Sequence, residues 1–427
     1  MNSNRRKFLQ TTLLGVSSTA LPSMALPIQL QRRPRILLRG AWATLNIGDI
    51  GHTVGTINLI KTYLPEVEII LWPKNVKDGV KEMILRRWPN LKIIQEEHEV
   101  KTAYQECDFF LHGSGPTLAG QNELERWRKE TGKPYGVFGI GISDKTAVER
   151  RDLLTQAEFL FFRETISLQR ARDNGVECPT MAFGPDGTFS ADVRNDPAAN
   201  RFLSAHGLEH GKFLCCILRY RKAPLPQGKG YWEVSPPFDP KAPINEKVKK
   251  RNEEMQEHDH AILREAITRI VQETDMKVLV CPEDIFQVSM GKELIIDKLP
   301  EDIRKSVVWK DSYWLTDEAT SVYIRSAGVF GLEQHSPILC IGHGIPGIVG
   351  RFAEQGIKGQ MWRDIGLGDW LFDIDRPEEV ESYLATVLEI AKNPEAAKDK
   401  AAKAHGRVED FQRRMVEALD KSLSKLR

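Results

Sequence analysis

Short, wholly apolar runs alternate with amphipathic stretches along the first half of the chain. Arg35-Ile-Leu-Leu-Arg-Gly40 predicts a strand, and the turn Asn46-Ile-Gly48-Asp49-Ile-Gly51 leads from it into a helix with apolar positions at Val54, Ile57, Leu59 and Ile60. Further strands are predicted at 68–72, 91–94, 108–111, 134–139 and 159–162, with helices at 79–87, 123–130, 153–157 and 164–174 between them. Brief apolar strands separated by helices are the signature of a parallel sheet covered on both faces.

The pattern then restarts. Phe213 to Leu218 predicts a strand, followed by a polar stretch from Lys222 to Asn252 that carries Pro224, Pro226, Pro236, Pro237, Pro240 and Pro243 and reads as an irregular insertion or lid. A helix is predicted from Met255 to Glu273, then strands at 277–281, 307–309, 328–331 and 346–349, with helices at 317–325 and 335–343. The tail from Glu378 to Arg427 is helical and rich in Lys, Glu and Ala. The prediction is therefore an α/β protein with two Rossmann-like lobes, 33–195 and 205–375, facing a cleft, and C-terminal helices over 376–427. In such folds ligands bind at the carboxyl ends of the strands, so the turn after each strand is where chemistry is expected.

Composition narrows the field. With 41% hydrophobic residues the chain can build a real core, and a formal charge of +1, from 60 basic against 59 acidic residues, argues against nucleic acid or an anionic membrane as partner. The six cysteines show no CxxC spacing, and several sit inside apolar runs, so buried free thiols are expected, with disulfides the alternative for an exported chain, and no metal site is expected. His258 and His260 lie in a polar helix start and read as solvated. Arg5-Arg6, then Phe8-Leu9 and a weakly apolar stretch ending near Ser23-Met24-Ala25, read as a twin-arginine export signal over 1–25, giving a periplasmic or otherwise extracytoplasmic product. No later stretch reaches the ~18 consecutive apolar residues of a membrane span.

Five turns carry candidate chemistry. Asn46 and Asp49 open a helix, where amides either bind an anion or are capped locally. His112-Gly113-Ser114-Gly115 is a glycine turn without the lysine of a nucleotide-binding P-loop. Arg163, and the pair Arg219 and Arg221 flanking Tyr220, follow strands and suit a carboxylate or phosphate, or a salt bridge. Glu283 ends a strand, and Glu333-Gln334-His335-Ser336-Pro337 joins a strand to a helix, with His335 placed as a general acid or base or as a helix cap. Lys358, ahead of Gly359-Gln-Met-Trp-Arg-Asp364, is a further cleft candidate, and Trp42, Trp232, Trp314 and Trp362 are candidates for stacking on sugars.

In order, Asn46-x-Gly48-Asp49, Gly113, Gly139-x-Gly141, Arg163-Glu164 with Ser167, Gly184-Pro185-Asp186, the Glu333–Pro337 turn and Gly344-Ile-Pro346 resemble the polysaccharide pyruvyl transferase family. The resemblance runs from Gly40 to about Asp375. It implies a GT-B-like fold, phosphoenolpyruvate as a co-substrate with no resident cofactor, and a glycan hydroxyl as acceptor that becomes a pyruvate ketal. It also implies Asn46, Asp49, Arg163, Arg219 and Arg221 at the donor, His335 in proton transfer, and His112, Gly113, Ser114, Glu283, Glu333, Ser336 and Lys358 around the cleft. Two features depart from the family. Its Ser-x-Arg-x-His pattern has Glu333 at the arginine position, and export separates the chain from cytoplasmic phosphoenolpyruvate. A glycan-binding protein with a lost or changed donor site, or a GT-B glycosyltransferase, are the alternatives these departures leave.

Overall fold

The computed structural model describes residues 32–229, 234 and 243–426. The export signal read over 1–25, Trp232 and part of the Pro-rich insertion, 230–233 and 235–242, lie outside the described residues.

Seven parallel strands form the first sheet: β1 (Arg35–Arg39), β2 (Glu68–Leu71), β3 (Lys92–Ile93), β4 (Phe109–His112), β5 (Tyr135–Ile140), β6 (Leu160–Phe162) and β7 (Met181–Phe183), in the order β3-β2-β1-β4-β5-β6-β7. Six more, β8 (Phe213–Ile217), β9 (Lys277–Val280), β10 (Val307–Trp309), β11 (Gly328–Gly331), β12 (Gly347–Arg351) and β13 (Leu371–Asp373), form the second in the order β10-β9-β8-β11-β12-β13. This is the expected pair of parallel-sheet lobes. In each sheet the strand order reverses once, between β1 and β4 and between β8 and β11. The loops that leave those strands diverge to opposite sides and open a crevice.

The strands are apolar on both faces because both faces are covered: β4, β5 and β8 are buried along their whole length. Helix α1 (Ile47–Tyr63) shows the same logic in a helix, being buried on every side from Ile47 to Ile57. Its glycines make that fit. A Cβ at Gly55 would lie 1.8 Å from the carbonyl oxygen of Gly187, and one at Gly48 would lie 2.0 Å from the ring of His335, so only hydrogen allows the approach.

Some boundaries moved. Helix α2 (Thr165–Asp173) and helix α3 (Glu246–Glu273) are observed, the latter starting well before Met255 because Asn245 caps it, its side chain accepting from the Lys247 amide. Strands β7 and β13, of three residues each, were not predicted and lie at the edges of their sheets. Helix α4 (His335–Ile341) follows β11. The helical tail is two helices, α5 (Pro377–Lys392) and α6 (Pro394–Ser424), separated at Asn393-Pro394. Helix α6 returns to the first lobe, where Phe411 packs edge-on to Phe183 and Lys425 pairs with Glu158 at 2.7 Å. All six cysteines are free, and five of them are buried. No helix among the described residues is long and apolar enough to cross a membrane.

Candidate active site

The loops after β1 and β9 are stitched together at the floor of the crevice. The amide of Ile47 donates to the Glu283 carbonyl at 3.0 Å, and that of Ile285 donates to the Leu45 carbonyl at 2.9 Å. Above this seam lies a cavity of about 230 Å³ walled by both lobes. The first lobe contributes Asn46, Asp49, Pro116 and Arg163, and the second contributes Arg219, Asp284, Glu333, Gln334, His335 and Lys358.

Sequence order explains why these residues meet: each lies beyond the carboxyl end of a strand in one of the two parallel sheets. Asn46 caps α1, its side-chain oxygen accepting from the Gly48 amide at 2.8 Å. Arg163 follows β6, and its guanidinium donates to Asp186 at 3.1 Å and sits 3.4 Å from Glu164, which in turn accepts from Ser167 at 2.6 Å. The motif residues Arg163, Glu164, Ser167 and Asp186 thus form one buried network. Burial raises the Glu164 carboxyl, with Arg163 opposing.

In the second lobe Arg219 pairs with Glu333, and Gln287 donates to the other Glu333 oxygen at 2.9 Å. Burial pushes the Glu333 carboxyl up to about 7, against the pull of Arg219. Burial, together with neighbouring Arg219 and Arg163, brings Lys358 down to about 8. Three cations, Arg163, Arg219 and Lys358, therefore converge on one cavity, but so do the carboxylates Asp49, Asp284 and Glu333.

His335 stands against a second buried carboxylate. Its Nδ1 is 3.2 Å from Glu283, and Ser336 donates to Glu283 from its amide at 2.6 Å and its hydroxyl at 2.7 Å. Burial disfavours charge on both partners, yet the contact outweighs it. Glu283 is held down to about 2, and His335 is raised above its ordinary value.

Other sequence candidates sit elsewhere. Arg221 does not share a face with Arg219, because β8 ends at Ile217. Its guanidinium, 2% exposed, is bound by Asp259 at 2.6 Å, Asp375 at 2.5 Å and Glu354 at 3.0 Å, so it is a structural hub and not a donor ligand. His112 is buried beneath the glycine turn, its Nε2 accepting from the Gly120 amide at 3.1 Å, and burial lowers it to about 4. Gly113 abuts Gly40 behind the cavity, and Ser114 donates to Asp186 at 3.0 Å. His260 is buried and not solvated as expected, with Nδ1 2.7 Å from the Gln256 carbonyl. Trp42, Trp314 and Trp362 are core residues, so none offers a face to a sugar.

Sequence reasoning passed over His52. It is fully buried on α1, one turn after Asp49, with Nδ1 2.6 Å from Asp186 and its ring edge-to-face with His335 at 5.0 Å. The available signal was the three-residue spacing from Asp49, which puts both on one helix face. Its partner Asp186 lies in a quoted motif, but nothing local links it to residue 52. His52 and the Arg163 cation together keep the Asp186 carboxyl well below its ordinary range, overcoming burial. Although no metal was expected, Asp49, His52 and His335 each bring one ligand-type atom within 4.8 Å of the others.

The family model described as polysaccharide pyruvyl transferase matches residues 46–349, which takes in the whole cavity except Lys358 and its neighbours. No curated protein matches the chain. Among solved structures, Anabaena HepE in complex with UDP and glucose is similar at 10% identity and a TM-score of 0.54, over 91% of this chain and 100% of that one. Staphylococcus aureus MnaA with UDP is similar at 10% identity and a TM-score of 0.55, covering 92% and 97%. The UDP-GlcNAc 2-epimerase from Neisseria meningitidis is similar at 10% identity and a TM-score of 0.52, covering 91% and 100%. At such identities the likeness shows the shared GT-B-type two-lobed fold.

Proposed function

Because the chain belongs to the polysaccharide pyruvyl transferase family, we propose that it modifies a polysaccharide by transferring a pyruvyl group from phosphoenolpyruvate to a sugar diol in the cavity between the lobes. The observation that carries this reading is the convergence of Arg163 from one lobe with Arg219 and Lys358 from the other. A donor with a carboxylate and a phosphate needs several cations within hydrogen-bond reach. The cavity's about 230 Å³ suits a compact donor. Sites for larger, drug-sized ligands run from about 300 to 1,000 Å³, which disfavours a nucleotide-sugar.

The chemistry balances as follows. The enol carbon gains a proton, two sugar hydroxyls bond to the adjacent carbon, and the phosphate leaves with the remaining hydroxyl proton as inorganic phosphate. His335 and Asp49 both line the cavity and are the groups we assign to the reacting carbon. The proposed compartment is extracytoplasmic, on the strength of Arg5-Arg6 and the weakly apolar stretch after them.

One observation favours a second reading, a glycan-binding protein of the same fold: Glu333 already occupies Arg219. Calorimetric titration with phosphoenolpyruvate separates the two. Saturable binding that weakens in Arg219→Ala supports the donor site. With a glycan acceptor, phosphate release and a ketal in the product support transfer, and both are expected to fall in His335→Ala. No binding at millimolar phosphoenolpyruvate refutes the donor assignment.

A further inference from the structure

We propose that Asp49, His52 and His335 form a binding site for one divalent transition-metal ion at the wall of the cavity, with Zn²⁺ as the fitting probe. One ligand-type atom from each lies within 4.8 Å of the other two, and His52 Nε2 is 3.8 Å from Asp49 Oδ1. His52 is 0% exposed, and its Nε2 has no hydrogen-bond partner. A buried imidazole nitrogen without a partner is costly, and ligation satisfies it.

The surroundings have the form of a metal site. Ligating histidines hand their second nitrogen to a carboxylate, which fixes the ring and its tautomer. Here each ring has its Nδ1 against a buried carboxylate: His52 Nδ1 meets Asp186 at 2.6 Å, and His335 Nδ1 meets Glu283 at 3.2 Å. Those carboxylates are themselves held, Asp186 by Arg163 at 3.1 Å and by the Thr188 amide at 2.9 Å, and Glu283 by Ser336. Two imidazoles and one carboxylate make the three-ligand set that leaves a position open on zinc-type ions. Asp49 and His335 line the cavity, so that position faces the ligand space. The missing side chain at Gly48 is what lets the His335 ring reach α1. A dication there would also offset the carboxylates of Asp49, Asp284 and Glu333 that share the cavity with the three cations.

The test uses the metal alone, so its outcome is independent of whether phosphoenolpyruvate is the donor. The full chain, stripped by chelator, is titrated with Zn²⁺ by calorimetry and with Co²⁺ by visible absorption. One equivalent is expected to bind at micromolar or tighter affinity, with the intense d–d bands of a low-coordinate Co²⁺ site. Binding is expected to be lost in His52→Ala and in His335→Ala, the latter at a partly exposed side chain where folding is less at stake. Asp186→Asn, which loosens the outer partner of His52, is expected to weaken it about 10–100-fold. His258→Ala is expected to leave it unchanged. Absence of stoichiometric binding, binding that survives both histidine variants, or binding lost in His258→Ala would each overturn the site.

Discussion

Glu333 stands where the family's pattern has an arginine, and it pairs with Arg219, which the proposed function assigns to the donor. Replacing it by Gln removes one negative charge but keeps an amide oxygen for the bond from Gln287 and nearly the same volume. At an effective dielectric near 20, like unit charges about 6 Å apart repel by about 3 kcal/mol, or about 100-fold in affinity. Solvent in the open cavity reduces this, so phosphoenolpyruvate is expected to bind about 10–100-fold more tightly to Glu333→Gln than to the native chain. The assay is calorimetry at pH 8.5, where a carboxyl pushed up to about 7 is ionised. A double-mutant cycle with Arg219→Ala localises the effect, since the gain is expected to shrink once the freed guanidinium is gone. Affinity that is unchanged or weaker in Glu333→Gln would refute the reasoning, because the carboxylate would then not oppose the donor.

Three other outcomes are expected. His112, lowered to about 4 by burial, is bound to fewer protons folded than unfolded, so its contribution is present above about pH 6.5 and lost as pH falls toward 4. Urea denaturation at pH 7.5 and 4.5 is expected to show an acid loss smaller by about 2–3 kcal/mol in His112→Gln, whose amide oxygen still accepts from Gly120. Arg221→Met leaves Asp259 buried without its partner and is expected to cost about 3–5 kcal/mol, read as a lower Tm, with phosphoenolpyruvate affinity in the folded fraction unchanged. Residues 1–30 fused to a folded reporter are expected to export it, and Arg5→Lys with Arg6→Lys is expected to retain it in the cytoplasm.

Much of this was legible in the chain itself. Strand and helix periodicity follow from backbone geometry within ten residues or so, which is why the two sheets and the turns after β1, β4, β6, β8 and β11 could be read in order. Strands β7 and β13, which the pattern did not bring out, are the edge strands of their sheets, paired with β6 and β12 respectively. The order of the turns also sufficed to bring forward Asn46, Asp49, Arg163, Arg219, Glu333, His335 and Lys358, since parallel α/β folds gather strand ends at one crevice.

What the chain did not reveal is how partners are shared out among those turns. Arg219 and Arg221 look equivalent in sequence, and β8 ending at Ile217 sends one to the cavity and the other to Asp259 and Asp375. His52 reads as one more residue of an apolar helix, and its role depends on Asp186, 134 positions away. Local periodicity is a property of neighbours along the chain, so sequence alone determined the elements and their order. Which charges are buried, paired or left open is a property of neighbours in space, and only the tertiary packing decided it.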